Sequence, residues 1–139
     1  MNILFLKKAI EFGVKINLIE EIFLMTSMDL ISKNKSKIKV AMSVCARCGM
    51  CAESCFLYVA NNKAPEYMPS YKMINSIGYI LKKKGKLTKQ EKEKIKEIVW
   101  DRCVLCTRCY CAFGIDIPWL ISLARGFLRE QNCFKTFDG

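Results

Sequence analysis

The sequence predicts a mostly α-helical domain organised around two cysteine-rich segments. Three observations carry that reading. No stretch sustains the period-two alternation of a strand, so almost no sheet is expected. Apolar residues recur instead at helical spacing, in stretches bounded by capping and turn residues. Eight of nine cysteines fall in two short segments, 45–55 and 103–111. The 139 residues suit one domain, and 52% hydrophobic content argues against a disordered tail despite a formal charge of +10. The absence of histidine excludes Ser/His/Asp triads and Cys₂His₂ zinc fingers.

Residues 2–16 read as an amphipathic helix, with Lys7, Lys8, Glu11 and Lys15 on one arc and Leu6, Ala9, Ile10, Phe12, Val14 and Ile16 filling the rest. The pattern fails after Asn17, which predicts a bend and a second short helix to about Met28. The run KNKSKIK at 33–39 reads as a solvated linker. Past the first cysteine segment, Ser70 is a candidate N-cap after Pro69, and Tyr71, Ile74, Gly78 and Leu81 form a helical stripe that ends in the lysines around Gly85. Thr88 and Glu91 make a capping-box pattern, and Ile95, Ile98 and Val99 give the next helix its buried face. After the second cysteine segment, Asp116 and Pro118 start a final helix through about Gln131. The expected division is a helical extension with linker over 1–39, a core domain over 40–132 and a tail over 133–139.

The cysteine spacing carries the chemistry. The first segment reads Cys45-x2-Cys48-x2-Cys51-x3-Cys55, and the second Cys103-x2-Cys106-x2-Cys109-x-Cys111. Three thiolates at this interval wrap one corner of a 4Fe-4S cube, and in two-cluster ferredoxins the fourth cysteine ligates the other cluster. Crossed ligation assigns Cys45, Cys48, Cys51 and Cys111 to one cluster, and Cys103, Cys106, Cys109 and Cys55 to the second. On a helix, Cys109 and Cys111 would point about 200° apart and so face different clusters. Zinc held by two Cys-x2-Cys pairs would leave five cysteines unexplained. Cys133 is left over and reads as a small buried hydrophobe. Arg47, Arg102 and Arg108 flank the ligands, where they either raise cluster potentials or simply occupy exposed loops. Phe56, Tyr110 and Phe113 are expected to exclude water from the clusters.

These residues resemble an α-helical ferredoxin domain. The run Cys-Ala-Arg-Cys-Gly-Met-Cys-Ala-Glu-Ser-Cys, about fifty helical residues, a second Cys-x2-Cys-x2-Cys and then Gly114-Ile115-Asp116-Ile117-Pro118 are similar to the iron–sulfur part of heterodisulfide reductases, found in their C subunit and at the front of their D subunit. They are also similar to the K subunit of sulfite-reductase-associated membrane complexes. More distantly, they are similar to succinate dehydrogenase iron–sulfur subunits and to the C subunit of anaerobic glycerol-3-phosphate dehydrogenase. The resemblance covers roughly residues 40–130. It implies that all eight cysteines are ligands to two 4Fe-4S clusters. Ala112 stands where that family usually has proline, and the gap before Cys111 is two residues short.

The function this implies is electron transfer without catalysis by the chain itself, because no Cys-Cys dipeptide of a disulfide-reducing module is present. The partners implied are redox subunits: a flavin, quinone or haem donor, and a thiol–disulfide or sulfur-metabolism acceptor. The alternative is an iron–sulfur redox sensor or nucleic-acid-binding regulator, motivated by the +10 charge. Its lysine runs lack the arginines and aromatics of nucleic-acid patches, so no nucleic acid is favoured. The four-residue apolar patch Ile3–Leu6 precedes its charges, unlike a secretory signal, and no apolar run reaches a membrane span. The expected location is the cytoplasm, with membrane contact at most indirect through partners.

Overall fold

The computed structural model describes residues 16–137, and the helix expected over 2–16 lies outside them. The first described element is one 29-residue helix, α1 (Ile16–Val44). This corrects three expectations: the bend after Asn17, the short helix ending near Met28 and the linker over 33–39. Lysines at 33, 35, 37 and 39 mask the helical period there. Ile31 and Ile38, seven residues apart, are fully buried, with Leu30, Ala41, Met42 and Cys45 packed beside them. One face of the run is therefore core, and the four lysines project into solvent from the rest.

The first cysteine segment contributes two short helices, α2 (Met50–Glu53) and α3 (Phe56–Ala60). A 3₁₀ turn, Pro65–Tyr67, leads into a continuous helical run over 69–82. That run comprises α4 (Pro69–Met73), a widened π turn (Ile74–Gly78) and α5 (Tyr79–Lys82). Its cap is Met68, not Ser70. Pro69 takes the first helical position, where its missing N–H costs nothing, and Ser70 falls inside and is buried. The buried side is also displaced from the expected stripe. Met73, Ile77 and Ile80 are fully buried, whereas Tyr71 is exposed and Ile74, Gly78 and Leu81 are half-buried. The π turn accounts for part of this shift, because each wide turn rotates the faces that follow it. Ser76 sits within it and donates its hydroxyl to the Lys72 carbonyl at 2.6 Å.

Thr88 and Glu91 form the expected capping box at the start of α6 (Lys89–Lys96). Glu91 also accepts from the Tyr79 hydroxyl and pairs with Lys83 at 3.1 Å, which ties α6 to α5. Those bonds, with the Thr88 N–H, pull its carboxyl down to about 2. α6 widens into a second π turn, Glu97–Asp101, and Ile95, Ile98 and Val99 are buried as expected. Asp116 caps the last helix, α7 (Ile117–Glu130), by accepting from the Trp119 N–H at 3.1 Å. No strand occurs among the described residues.

α1 packs chiefly on α7, and the run 69–82 closes the same core, which centres on Ile38, Met73, Ile77, Ile121 and Phe127. The cysteine segments emerge at one end of this scaffold, after α1 and after the second π turn. No described helix is long and apolar enough to cross a membrane.

The turn between α5 and α6 depends on Gly85. Its N–H bonds back to the Ile80 carbonyl at 3.0 Å with φ at +73°, and an added Cβ would meet the Met28 side chain of α1. Gly85→Ala should lower unfolding stability by at least about 1 kcal/mol, read by denaturant titration. An unchanged midpoint would show that this turn does not fix the helix pair against α1.

Candidate metal centres

The two cysteine loops share one backbone conformation. In the first, Arg47 and Gly49 have positive φ, 53° and 80°. In the second, Leu105 and Thr107 do, at 54° and 62°. Each left-handed residue stands immediately before or after the middle cysteine. Such alternation turns successive backbone N–H groups toward one concave side, a nest for negative charge. The repetition visible in the spacing is thus a repetition of structure.

The loops diverge after their third cysteines. Cys51 lies in α2, and one helical turn carries the chain to Cys55. Tyr110 and Cys111 are not helical. No helix separates Cys109 from Cys111, and the two side chains nevertheless face different spaces. The Tyr110 N–H donates to Ser54 Oγ at 3.2 Å, a bond that pins the second segment onto the first between their respective last two cysteines.

This clasp produces two small pockets. One is lined by Cys45, Cys48, Cys51 and Cys111, with Ser70, Ile115 and Ile117. The other is lined by Cys55, Cys103, Cys106 and Cys109, with Pro69, Lys72 and Ile121. Each takes three cysteines from one segment and the fourth from the other. The first turns of two helices wedge between them: α4 presents Ser70 to one and Lys72 to the other, and α7 presents Ile117 to one and Pro118 to the other. Both turns bring positive helix ends toward the sulfurs.

Burial grades the cysteines. Cys51, Cys55 and Cys103 are buried, Cys45, Cys109 and Cys111 half-buried, and the middle cysteines Cys48 and Cys106 exposed. Burial pushes the Cys51 thiol up, opposed by hydrogen bonds from Ser70. Burial, then the charges of Cys103, Cys55 and Cys106, pushes Cys109 up to about 12. Four thiolates cannot share such a space without a positive centre among them. An iron–sulfur core, a cation that binds only thiolates here, fits that requirement. Among the described residues no three Cys, Asp or Glu close on a single metal ion.

Lys72 was missed by sequence reasoning. It is 2% exposed, and its Nζ lies 3.7 Å from Cys55 Sγ and 6.0 Å from the Tyr67 ring. A buried ammonium needs a negative partner. Arg125, half-buried on α7, donates to the carbonyls of Val99 at 2.8 Å and Cys103 at 2.5 Å. Of the arginines marked by the sequence, Arg47 and Arg108 are exposed, and Arg102 pairs with Glu97 at 2.6 Å. Phe56, Tyr110 and Phe113 are 47%, 60% and 55% exposed, which corrects the expectation that they seal the sites. Phe56 and Phe113 each wall one cavity on one face and meet solvent on the other. Cys133 lines neither cavity. It is half-buried against the core, 3.8 Å from Glu93.

A helical scaffold that presents two interlocked four-cysteine sites defines an iron–sulfur protein of the dicluster ferredoxin type. The chain belongs to the 4Fe-4S dicluster domain family, whose pattern matches residues 41–115. It is 30% identical over 132 residues to the Hdr-like menaquinol oxidoreductase iron-sulfur subunit 2 of Archaeoglobus fulgidus, and 32% identical over 132 residues to the corresponding iron-sulfur subunit of Archaeoglobus profundus. Each alignment covers 85% of this chain and 23% of the relative, so the chain spans about a quarter of the length of these relatives. No solved structure matches it significantly.

Thr107 is a β-branched residue held at a φ that suits glycine, at the position where the first loop has Gly49. Thr107→Gly should stabilise the protein by about 1 kcal/mol and Gly49→Thr should destabilise it by a similar amount, in anaerobic denaturant unfolding. Opposite or absent effects would refute the equivalence of the loops.

Proposed function

We propose that the chain is a two-centre electron-transfer unit of an oxidoreductase complex. Cys45, Cys48, Cys51 and Cys111 would hold one 4Fe-4S cluster, and Cys55, Cys103, Cys106 and Cys109 the second. The observation that carries this reading is the pair of cavities, each lined by four cysteines drawn from both segments. Bound there, such clusters supply one-electron redox chemistry without proton transfer or substrate binding by the chain. The chain's own contribution is to position sulfurs, wall the sites with apolar residues and set their charge environment.

Each site reaches the surface at its middle cysteine. Exposed Met50 and Phe113 stand beside the site of Cys48, and exposed Val104 and Phe56 beside that of Cys106. Two such openings suit a relay that meets a donor at one and an acceptor at the other. The names of the Archaeoglobus relatives support a menaquinol-linked donor. The resemblance to heterodisulfide reductases supports a thiol–disulfide acceptor, with the chain working on the cytoplasmic side of a membrane complex.

Anaerobic purification with iron and acid-labile sulfide analysis tests the reading. The expectation is about eight irons and eight sulfides per chain, and an EPR spectrum of two interacting centres after reduction. About four irons would remove the relay, and zinc without sulfide would overturn the reading altogether.

A further inference from the structure

The two sites differ in charge. The walls of the cavity around Cys55, Cys103, Cys106 and Cys109 include a fully buried ammonium, Lys72, and the backbone carbonyl of Cys103 is held by the half-buried guanidinium of Arg125. The other cavity has a neutral buried group in the equivalent place, Ser70, and its one cationic wall residue, Arg47, is exposed. Among the described residues Lys72 reaches no carboxylate. Its described partners are the Cys55 sulfur and the Tyr67 ring, and Cys55 Sγ also lies 3.8 Å from the Tyr67 carbonyl. A charge enclosed in this way acts through low dielectric, where it is little screened by water. A solvated arginine on a loop edge has far less effect at the same separation.

We propose that Lys72 is a positioning and tuning residue that makes the centre at Cys55, Cys103, Cys106 and Cys109 the higher-potential one of the pair. This rests on the reading of the chain as a two-cluster carrier. Reduction adds one negative charge to a site already bounded by four thiolates. The ammonium stabilises that added charge more than it stabilises the oxidised state, so it favours reduction there. The potential order gives the relay a direction: the site beside Ser70 is the point of entry, and the site beside Lys72 is where the electron rests before it leaves past Cys106. The selection of lysine at a buried position on α4 follows from this role, since an uncharged side chain would fill the space without desolvating an ion.

The test is an EPR-monitored redox titration of the intact chain, purified anaerobically, with iron and sulfide measured on every variant. Lys72→Gln removes the charge and keeps a hydrogen-bond donor, and Lys72→Met removes both. Both variants should lower the higher of the two midpoint potentials and leave the lower one in place, while Lys72→Arg keeps the parent values. An unshifted higher potential in Lys72→Gln would overturn the proposal and leave Lys72 a packing role, and equal shifts of both potentials would overturn it by showing a charge effect that does not distinguish the sites. If Lys72→Met sheds iron, Lys72→Gln decides alone. If both neutral variants shed the iron of one site while Lys72→Arg retains it at a changed potential, Lys72 is needed for assembly and the proposal fails. Failure of the underlying reading is separately visible, as zinc or missing sulfide in the unsubstituted chain.

Discussion

The structure depends on one constraint: two cysteine segments almost fifty residues apart must lie against each other so that each completes the other's site. Neither segment has four sulfurs facing one space. Cys55 is carried out of the first loop by the turn of α2, and Cys111 out of the second by a short irregular stretch. The bond from the Tyr110 N–H to Ser54 Oγ fixes the two departures side by side. Everything else serves that juxtaposition. α1 leads into Cys45, the π turn after α6 leads into Cys103, and the first turns of α4 and α7 fill the gap between the cavities. A helical scaffold suits this task because its packed core fixes the positions from which both loops start.

Charge is the second constraint. Eight sulfurs near one end of a small domain would repel one another as thiolates, which is why burial and mutual repulsion hold Cys109 so high. The protein meets this with inward-turned N–H groups in both loops, two helix N-termini and the buried Lys72. The formal charge of +10 is thus partly internal to the sites, since Lys72 contributes to it from inside the core. The four lysines at 33–39 on α1, with Lys89 and Lys94 on α6, are exposed and solvate the outer faces of their helices, whereas Lys92 and Lys96 are half-buried and Lys96 pairs with Glu93.

The grouping of the cysteines was legible because it is written in their spacing. The grouping of Cys111 with the first loop and Cys55 with the second follows from the sequence and matches the cavity linings. The ends of α6 and α7 were legible for a similar reason: Thr88, Glu91, Asp116 and Pro118 act within a few residues of themselves. What was hidden is non-local. The lysines of 33–39 outweigh Ile38 in any short window, so a helix held by tertiary burial of Ile31 and Ile38 looks like a linker. The π turn at Ile74–Gly78 displaces the buried face that follows it, and the inward direction of Lys72, ahead of that turn, is set by Pro69 starting the helix one residue before the expected Ser70 cap. A lysine is assigned to solvent by default, and only the negative character of the neighbouring site justifies its burial. The aromatic residues differ in the opposite direction: Phe56, Tyr110 and Phe113 were expected to help exclude water, and although Phe56 and Phe113 line the two pockets, all three stand largely exposed at their rims.

The interlocked ligand sets are the central claim, and paired substitutions test them most directly. With crossed sites, Cys55→Ala together with Cys109→Ala damages a single site, whereas Cys51→Ala together with Cys55→Ala damages both. Iron and sulfide analysis should find about four irons in the first double variant and almost none in the second. The reverse result, with one cluster surviving loss of Cys51 and Cys55 and none surviving loss of Cys55 and Cys109, would mean that each segment holds its own cluster and would contradict the account.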